Sequence, residues 1–162
     1  MKLPRYISIV GRMLIAIYGL VFAILMPVLY GIESSYSMYK LHNPVLLGIS
    51  LAILGFGLYL HKNNKWVVPS IALIIVAMFD IDYPYIHNTC AIIFFTSSTW
   101  VLFLDEKSVK LSYCSLVVYV TLLIPEYGLF WFELLQVAIL TFYHIAYASR
   151  MLNIKIVRSK QD

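Results

Sequence analysis

The sequence predicts an all-α integral membrane protein, with six transmembrane helices in an up-down antiparallel bundle and both termini in the cytoplasm. Three observations lead to this prediction. The chain of 162 residues is 62% hydrophobic and only 12% charged, whereas a soluble domain carries about 25% charged residues. Apolar stretches long enough to cross a bilayer recur along the chain. The connections between these stretches are short, and their basic residues fall almost entirely on one side.

Six apolar stretches follow one another, and each is predicted to be a helix that crosses the bilayer. They cover residues 7–31, 45–60, 66–83, 85–104, 111–124 and 129–149. The first stretch is too long for a cleavable signal peptide and ends in no A-x-A-like site. Short connections such as "HKNN" and "PEYG" make consecutive helices pack antiparallel. The chain is therefore expected to be a single transmembrane domain, 1–162, in which residues 150–162 form a basic cytoplasmic tail.

The basic residues are divided very unequally between the two sides of the predicted bundle. With the amino terminus in the cytoplasm, eleven of the twelve Lys and Arg residues fall on the cytoplasmic side, and Lys40 falls outside. Cytoplasmic loops of membrane proteins carry such an excess of Lys and Arg. The cytoplasmic set is Lys2, Arg5, Arg12, Lys62, Lys65, Lys107, Lys110, Arg150, Lys155, Arg158 and Lys160. The pattern predicts a multi-pass protein of the cytoplasmic (inner) membrane, and it explains the formal charge of +4 without a nucleic-acid partner.

Two further features concern the packing and the loops of the bundle. Gly48, Ala52 and Gly55 fall on one face of the second span, which favours close contact with a neighbouring helix. Among the outer loops, only residues 32–44 have room for a structured element.

Acidic and imidazole side chains are predicted to gather near the outer surface, at the tip that joins the third and fourth spans. The stretch "FDIDYPYIHN" contributes Asp80, Asp82 and His87, and Glu133 is expected at a similar depth. Such a set could bind a divalent cation, or act as a carboxylate–histidine acid/base couple. A solvated rim of interfacial charges explains the same residues without any chemistry. This outer polar cluster is the first candidate for a site.

A second set of polar residues lies within the sixth span. Gln136 and His144 follow Glu133 at i+3 and i+11, which places all three near one face of the helix. Ionisable residues inside a membrane are costly and indicate function, so this polar stripe could form a proton path, a ligand pocket or a reaction site. Interhelical hydrogen bonds are the structural alternative. Because eleven helical residues span about 16 Å, one metal ion could not bind both His87 and His144.

Three basic residues are candidates for contact with lipid head groups. Arg12 lies about a turn and a half into the first span, where it could snorkel to the cytoplasmic head groups. Alternatively, it could bind a lipid phosphate or pair with His144 inside the bundle. Lys155 and Arg158 belong to the basic tail, which suits an anionic membrane surface.

The segments "GLVFAILMPVLYGIESSYSMY", "NPVLLGISLAILGFGLYL" and "VVPSIALIIVAMFDIDYPYIHNTCAIIFFTSSTWVLF" carry a family resemblance over nearly the whole chain. They combine a late proline in the first span, a Ser/Tyr-containing outer loop and a glycine-punctuated second span. His87, followed by Ala91 and Phe94–Phe95, opens the fourth span. In these features the chain resembles six-helix bacterial membrane proteins of unknown function that are similar to the Frag/DRAM/Sfk-type family. The resemblance implies six helices with cytoplasmic termini and little about chemistry, since the eukaryotic members are described as modulators of membrane traffic and lipid organisation.

The favoured function is that of a non-catalytic membrane protein that binds a lipid or a partner membrane protein, which could be a second copy of itself. One alternative is a metal-assisted hydrolase or lipid-modifying enzyme that uses the outer polar cluster. Another is a transport or pore subunit that uses the polar stripe. The sequence predicts no cofactor.

Overall fold

The computed structural model describes residues 5–59, 64–79 and 83–158. Over these ranges the protein is all-helical, as predicted, with 89% of the described residues in helices. Within the described ranges the α-helices are α1 Arg5–Tyr30, α2 Pro44–Tyr59, α3 Val67–Met78, α4 Pro84–Phe103, α5 Val109–Val118 and α6 Gly128–Arg158. Short 3₁₀ helices occupy Tyr36–Leu41, Asn64–Trp66, Glu106–Ser108 and Tyr119–Leu123.

Three helices among the described residues are long and apolar enough to cross a membrane. They are Ile9–Tyr30 in α1, Pro84–Phe103 in α4 and Gly128–Leu152 in α6. Pro44–Leu58 and Asn64–Met78 are apolar but shorter, and α5 continues directly into the 3₁₀ helix Tyr119–Leu123. The three long helices indicate membrane association.

Several helix ends differ from the sequence prediction, among them that of the fifth helix, which ends as an α-helix at Val118 rather than at residue 124. The third helix ends at Met78 rather than at residue 83, because Phe79 adopts an extended backbone conformation. Pro84 then begins α4, a position that suits proline because the first helical N–H has no partner within the helix. The last helix continues to Arg158 rather than ending at 149, since neither proline nor glycine interrupts residues 150–158.

The helices pack as a closed ring. Each α-helix contacts its neighbours in the sequence, and α1 also packs against α6. Two groups of buried side chains fill the interior, one around Trp66 and Tyr143 and one around Met26 and Tyr39. Large apolar side chains also point outward on the long helices, for example Phe142 of α6. Such extensive apolar exposure is typical of a surface that faces lipid rather than water.

The contact between α2 and α3 depends on a small residue. A Cβ atom on Gly55 would lie 2.6 Å from Ile74 Cγ1 and 3.2 Å from the backbone oxygen of Ser70. The two helices therefore approach as closely as the predicted small face of α2 allows.

The connection between α1 and α2 is ordered, and we refer to residues 31–43 as the α1–α2 segment. Gly31 ends α1 with a φ of 84°, the left-handed conformation that glycine commonly adopts just beyond a helix. Tyr39 is fully buried, and its hydroxyl donates to the Gly31 carbonyl at 2.7 Å. His42 Nε2 lies 2.8 Å from Glu33 Oε1, and the His42 ring stacks on Tyr30. These contacts agree with the structured element predicted in this loop.

Candidate functional site

A partly open cavity of about 130 Å³ lies between the helices. Side chains of α1, α2, α3, α4, α6 and the α1–α2 segment line it. An apolar cavity of about 150 Å³ holds one benzene ring, so this space suits one slender molecule. Most of the lining is apolar. The polar side chains in the described lining are Arg12, Ser37, His87, Glu133, Thr141 and His144.

One face of α6 forms a long wall of the cavity. Its lining residues are Glu133, Val137, Leu140, Thr141 and His144, which follow the i, i+4, i+7, i+8, i+11 spacing of a single helical face. Glu133 and His144 are three turns apart, or about 16 Å along the helix axis. The cavity therefore runs lengthwise through the ring, with Glu133 and His144 at different depths.

At the first end of the cavity, which we call the His87 end, one carbonyl joins three elements. His87 is only 3% exposed, and its Nδ1 lies 3.1 Å from the Phe79 carbonyl oxygen at the end of α3. Lys40 Nζ of the α1–α2 segment donates to the same oxygen at 3.0 Å. A carbonyl only accepts hydrogen bonds, so His87 Nδ1 carries a proton and Nε2 of the neutral ring is an acceptor. Ser37 extends the lining into the α1–α2 segment.

At the opposite end, which we call the Arg12 end, α1 and α6 face each other. The Arg12 guanidinium lies 5.8 Å from the centre of the Tyr147 ring, within the range of a cation–π contact. His144 is buried, and its ring packs against Trp66 with centres 4.7 Å apart. Thr141 Oγ1 donates to the Ala16 carbonyl at 3.3 Å and joins the two helices. This end presents a cation, an imidazole and a hydroxyl group.

Between the two ends the lining is formed by apolar side chains of five helices. It includes Leu51, Leu54, Leu73, Val76, Phe94, Phe95, Val137 and Leu140. The cavity thus has an apolar middle with polar groups at each end.

The predicted polar stripe of α6 is divided in the structure. Glu133 and His144 face the cavity, whereas Gln136 points to α5. Ser115 Oγ donates to Gln136 Oε1 at 2.8 Å, and Gln136 Nε2 donates to the Ser115 carbonyl at 2.9 Å. Ser115 Oγ also lies 2.7 Å from Thr99 Oγ1 of α4. A residue at i+3 is rotated by about 60° from a helical face, and here that rotation turns Gln136 into an interhelical hydrogen-bonding group.

The predicted outer polar cluster is described only in part. His87 and Glu133 line the same cavity, whereas Asp80 and Asp82 lie outside the described residues. Within residues 5–59, 64–79 and 83–158, no group of three or more His, Cys, Asp or Glu side chains could hold a metal ion.

The predicted head-group residues have different positions. Arg12 lines the cavity and is half-buried. This position fits the alternative in which Arg12 faces the interior of the bundle better than the one in which it reaches only to the head groups. The α6 backbone continues through Lys155 and Arg158, whose side chains lie outside the described part of the structure.

Sequence reasoning did not find the buried position of Lys40 or the lining role of the small residues. Lys40 is only 6% exposed, and its carbonyl partner is 39 positions away in the chain, so no local pattern reveals the contact. Arg12, Ala16 and Gly19 all line the cavity. Their i, i+4, i+7 spacing on α1 was a usable signal, because residues at that spacing share one helical face.

Comparison of the sequence with protein-family models gave no match, and comparisons with curated proteins and with solved structures gave none either.

Proposed function

We propose that this protein crosses the cytoplasmic membrane six times, with both termini in the cytoplasm, and binds a membrane-derived amphiphile in its interior cavity without transforming it. The observation that carries the proposal is the cavity itself, with its apolar middle and its polar side chains at both ends. A molecule with an alkyl portion and a polar head group matches this arrangement. Ligand pockets commonly combine such an apolar lining with a few placed polar groups.

The distribution of charge supports the proposed orientation. The Arg12 end lies near the amino terminus, on the side to which the positive-inside rule assigns eleven of the twelve basic residues. The α1–α2 segment and the His87 end then belong to the outer side. In that orientation the segment closes the outer end of the cavity, and the shorter helices α2, α3 and α5 cross the membrane as part of the ring. The resemblance to Frag/DRAM/Sfk-type proteins agrees with a role in lipid organisation.

Mass spectrometry of the purified full-length protein tests this function. After extraction in mild detergent, we expect the wild type to retain an amphiphile at near-stoichiometric amounts. Ala91 lines the cavity, so Ala91→Leu would fill part of it and remove most of the retained molecule. Ala146 is exposed on α6, and Ala146→Leu is the matched control that should retain as much as the wild type.

Two results would contradict the proposal. One is a wild-type protein that is consistently empty, and the other is equal retention by both leucine variants. A thermal unfolding measurement on each variant shows whether the comparison involves folded protein.

Transport is a second candidate function, because titratable groups lie at both ends of the same cavity. His87 and Glu133 line the cavity some distance from His144, and a chain of water molecules between such groups could carry protons. Proton flux into liposomes containing the wild type, compared with Glu133→Gln, tests this candidate. We expect at least a hundredfold slower flux in the variant, the lower end of the effect of losing one general acid–base group. Identical flux in both proteins, or flux no greater than in empty liposomes, would exclude it.

A further inference from the structure

We infer that the ligand of the cavity is a single-chain anionic amphiphile, whose carboxylate or phosphate head group binds at the Arg12 end while its alkyl chain extends toward His87. This inference rests on the proposed function and specifies the chemical class and the orientation of the ligand. Its basis is the unequal distribution of charge along the cavity.

The Arg12 end is the electropositive end. Arg12 and His144 approach the cavity from α1 and α6, and Thr141 adds a hydroxyl group one turn from His144. A guanidinium group can donate two parallel hydrogen bonds to a carboxylate or a phosphate. Arginine also remains protonated under all ordinary conditions, so this end keeps its positive charge.

The opposite end carries charges of both signs, because the buried ammonium of Lys40 donates there to the Phe79 carbonyl that His87 also contacts. Glu133 is the acidic residue among the described residues of the lining, and it lies about 16 Å from the level of His144 along α6. His87 contributes an acceptor nitrogen in its neutral form, because its other nitrogen donates to Phe79. The charges of Lys40 and Glu133 are opposite, so the net charge is close to zero at the His87 end and positive at the Arg12 end, which favours an anionic head group at the Arg12 end. The polarity fixes the orientation of the ligand.

The dimensions of the cavity favour one alkyl chain over two. A volume of about 130 Å³ is close to that of a cavity that holds one benzene ring, so the cavity takes only part of one alkyl chain, and the rest of the chain extends out of its open side. Its apolar walls offer no partner for a second polar group in the middle. A fatty carboxylate and a lysolipid or alkyl phosphate meet these requirements, whereas a lipid with two chains does not.

Equilibrium binding to the full-length protein in nanodiscs, with four probes of equal chain length, tests the inference. The probes are dodecanoate, dodecyl phosphate, dodecanol and dodecylammonium. We expect one or both anions to bind at least tenfold more tightly than dodecylammonium, with dodecanol between them. The two anionic probes distinguish a fatty-acid source from a phosphate source. Acetate and inorganic phosphate, which lack the chain, should bind at least tenfold more weakly than the anionic probes.

Arg12→Gln should weaken binding of the preferred anion about tenfold or more and change dodecanol binding by less than about twofold. Arg150→Gln is the matched control. Arg150 lies against the same Tyr147 ring but pairs with Asp105 at 3.5 Å and is not among the described lining residues. It should leave the binding of all four probes within about twofold of the wild type. Arg12→Lys should restore part of the lost affinity, because the charge is kept and the paired geometry is not.

The outcomes separate this inference from the function on which it rests. Dodecanol and dodecylammonium binding as tightly as the anions would overturn the inference while the cavity remains a lipid site. No binding of any probe would overturn both. Tight binding of acetate or phosphate alone would show an anion site without a chain channel and contradict the inference. The preference of the wild type among the four probes requires no variant, so poor folding of Arg12→Gln leaves the test intact.

Discussion

Gln136 and Glu133 lie one turn apart on α6 and have different roles. Gln136 is 1% exposed and hydrogen-bonds to Ser115 of α5, whereas Glu133 lines the cavity. In a low-dielectric interior a buried polar group must find a partner. At the residue scale, the role of a buried polar side chain therefore depends on which neighbour supplies its hydrogen-bond partner.

Two threonine hydroxyl groups of α4 differ in whether they contact a neighbouring helix. Ser115 Oγ donates its one proton to Gln136, so Thr99 Oγ1 is the donor in the 2.7 Å contact with Ser115 across the helices, and it also lies 3.0 Å from the Phe95 carbonyl of its own helix. Thr96 Oγ1 is exposed and contacts carbonyls of its own helix. We expect Thr99→Ala to lower the free energy of unfolding by about 1 kcal/mol, typical of an interhelical hydrogen bond. Unfolding in mixed detergent micelles measures it.

Thr96→Ala is the control and should change the free energy of unfolding by less than about 0.5 kcal/mol. Equal losses in the two variants would show that the contact with Ser115 contributes nothing beyond the hydrogen bond within α4.

Tyr39 makes the stability of the α1–α2 segment depend on pH. Its burial raises the pKa of Tyr39 above the ordinary value of 10.0, and its protonated hydroxyl donates to Gly31. The folded state thus binds this proton more tightly than the unfolded state. The stability that Tyr39 contributes is fully present below pH 10 and is lost as the pH rises through and beyond that value.

The variant Tyr39→Phe measures this contribution. At about pH 8 it should be less stable than the wild type by about 1 kcal/mol, the usual contribution of one hydrogen bond. Thermal unfolding across the alkaline range should show the difference shrinking above about pH 10. A difference that stays constant to higher pH would contradict the assigned role of the phenol.

At the scale of the element, glycine positions decide how closely helices approach. Gly55 faces Ile74 and the Ser70 carbonyl across the α2–α3 contact, whereas a Cβ on Gly11 of α1 would meet nothing within 4 Å. The sequence could indicate the small face of α2 because residues at i, i+4 and i+7 share a face. The partner helix and the distance are tertiary properties that no local pattern contains.

Substituting alanine at each glycine separates packing from helix propensity. Gly55→Ala should lower the free energy of unfolding by about 1–3 kcal/mol, because the added methyl group meets backbone atoms that cannot move aside freely. Gly11→Ala should leave stability unchanged or raise it by up to about 1 kcal/mol, the advantage of alanine over glycine in a helix. Chemical unfolding measures both. Similar effects at the two positions would contradict the close α2–α3 contact.

The order and type of the helices followed from hydrophobicity and length, but some helix ends did not. Residues 79–83 contain neither proline nor glycine, so no helix-breaking residue marks the end of α3 at Met78. The extended conformation of Phe79 directs its carbonyl to Lys40 and His87. Those partners come from distant elements, and only the assembled fold brings them together.

For the whole molecule, the proposed orientation in the membrane rests on the charge distribution. Cysteine substitutions in a background without Cys90 and Cys114 test it by labelling intact cells with an impermeant maleimide. Glu33→Cys in the α1–α2 segment should be labelled in intact cells. Lys107→Cys, between α4 and α5, should be labelled only after lysis, because the excess of basic residues holds its side in the cytoplasm. The reverse pattern would contradict the proposed orientation, and labelling of both positions from one side would contradict the six-span arrangement.

The candidate site could be predicted only in outline. His87, Glu133, His144 and Arg12 were individually marked by the rarity of ionisable residues in apolar spans. Their meeting in one cavity depends on the contact between α1 and α6, which joins the two ends of the sequence. The small and apolar residues that create the space carry no chemical signature of their own.

Photo-crosslinking tests the interior binding of an amphiphile most directly. A fatty acid with a diazirine on its chain is incorporated into membranes that contain the protein, and the labelled positions are mapped by mass spectrometry. We expect labelling to concentrate on lining residues such as Leu54, Val137 and Leu140, and to fall sharply in Ala91→Leu. Labelling confined to outward-facing residues such as Leu14, Val28 and Phe142 would place the chain in the surrounding lipid and contradict a binding function for the cavity.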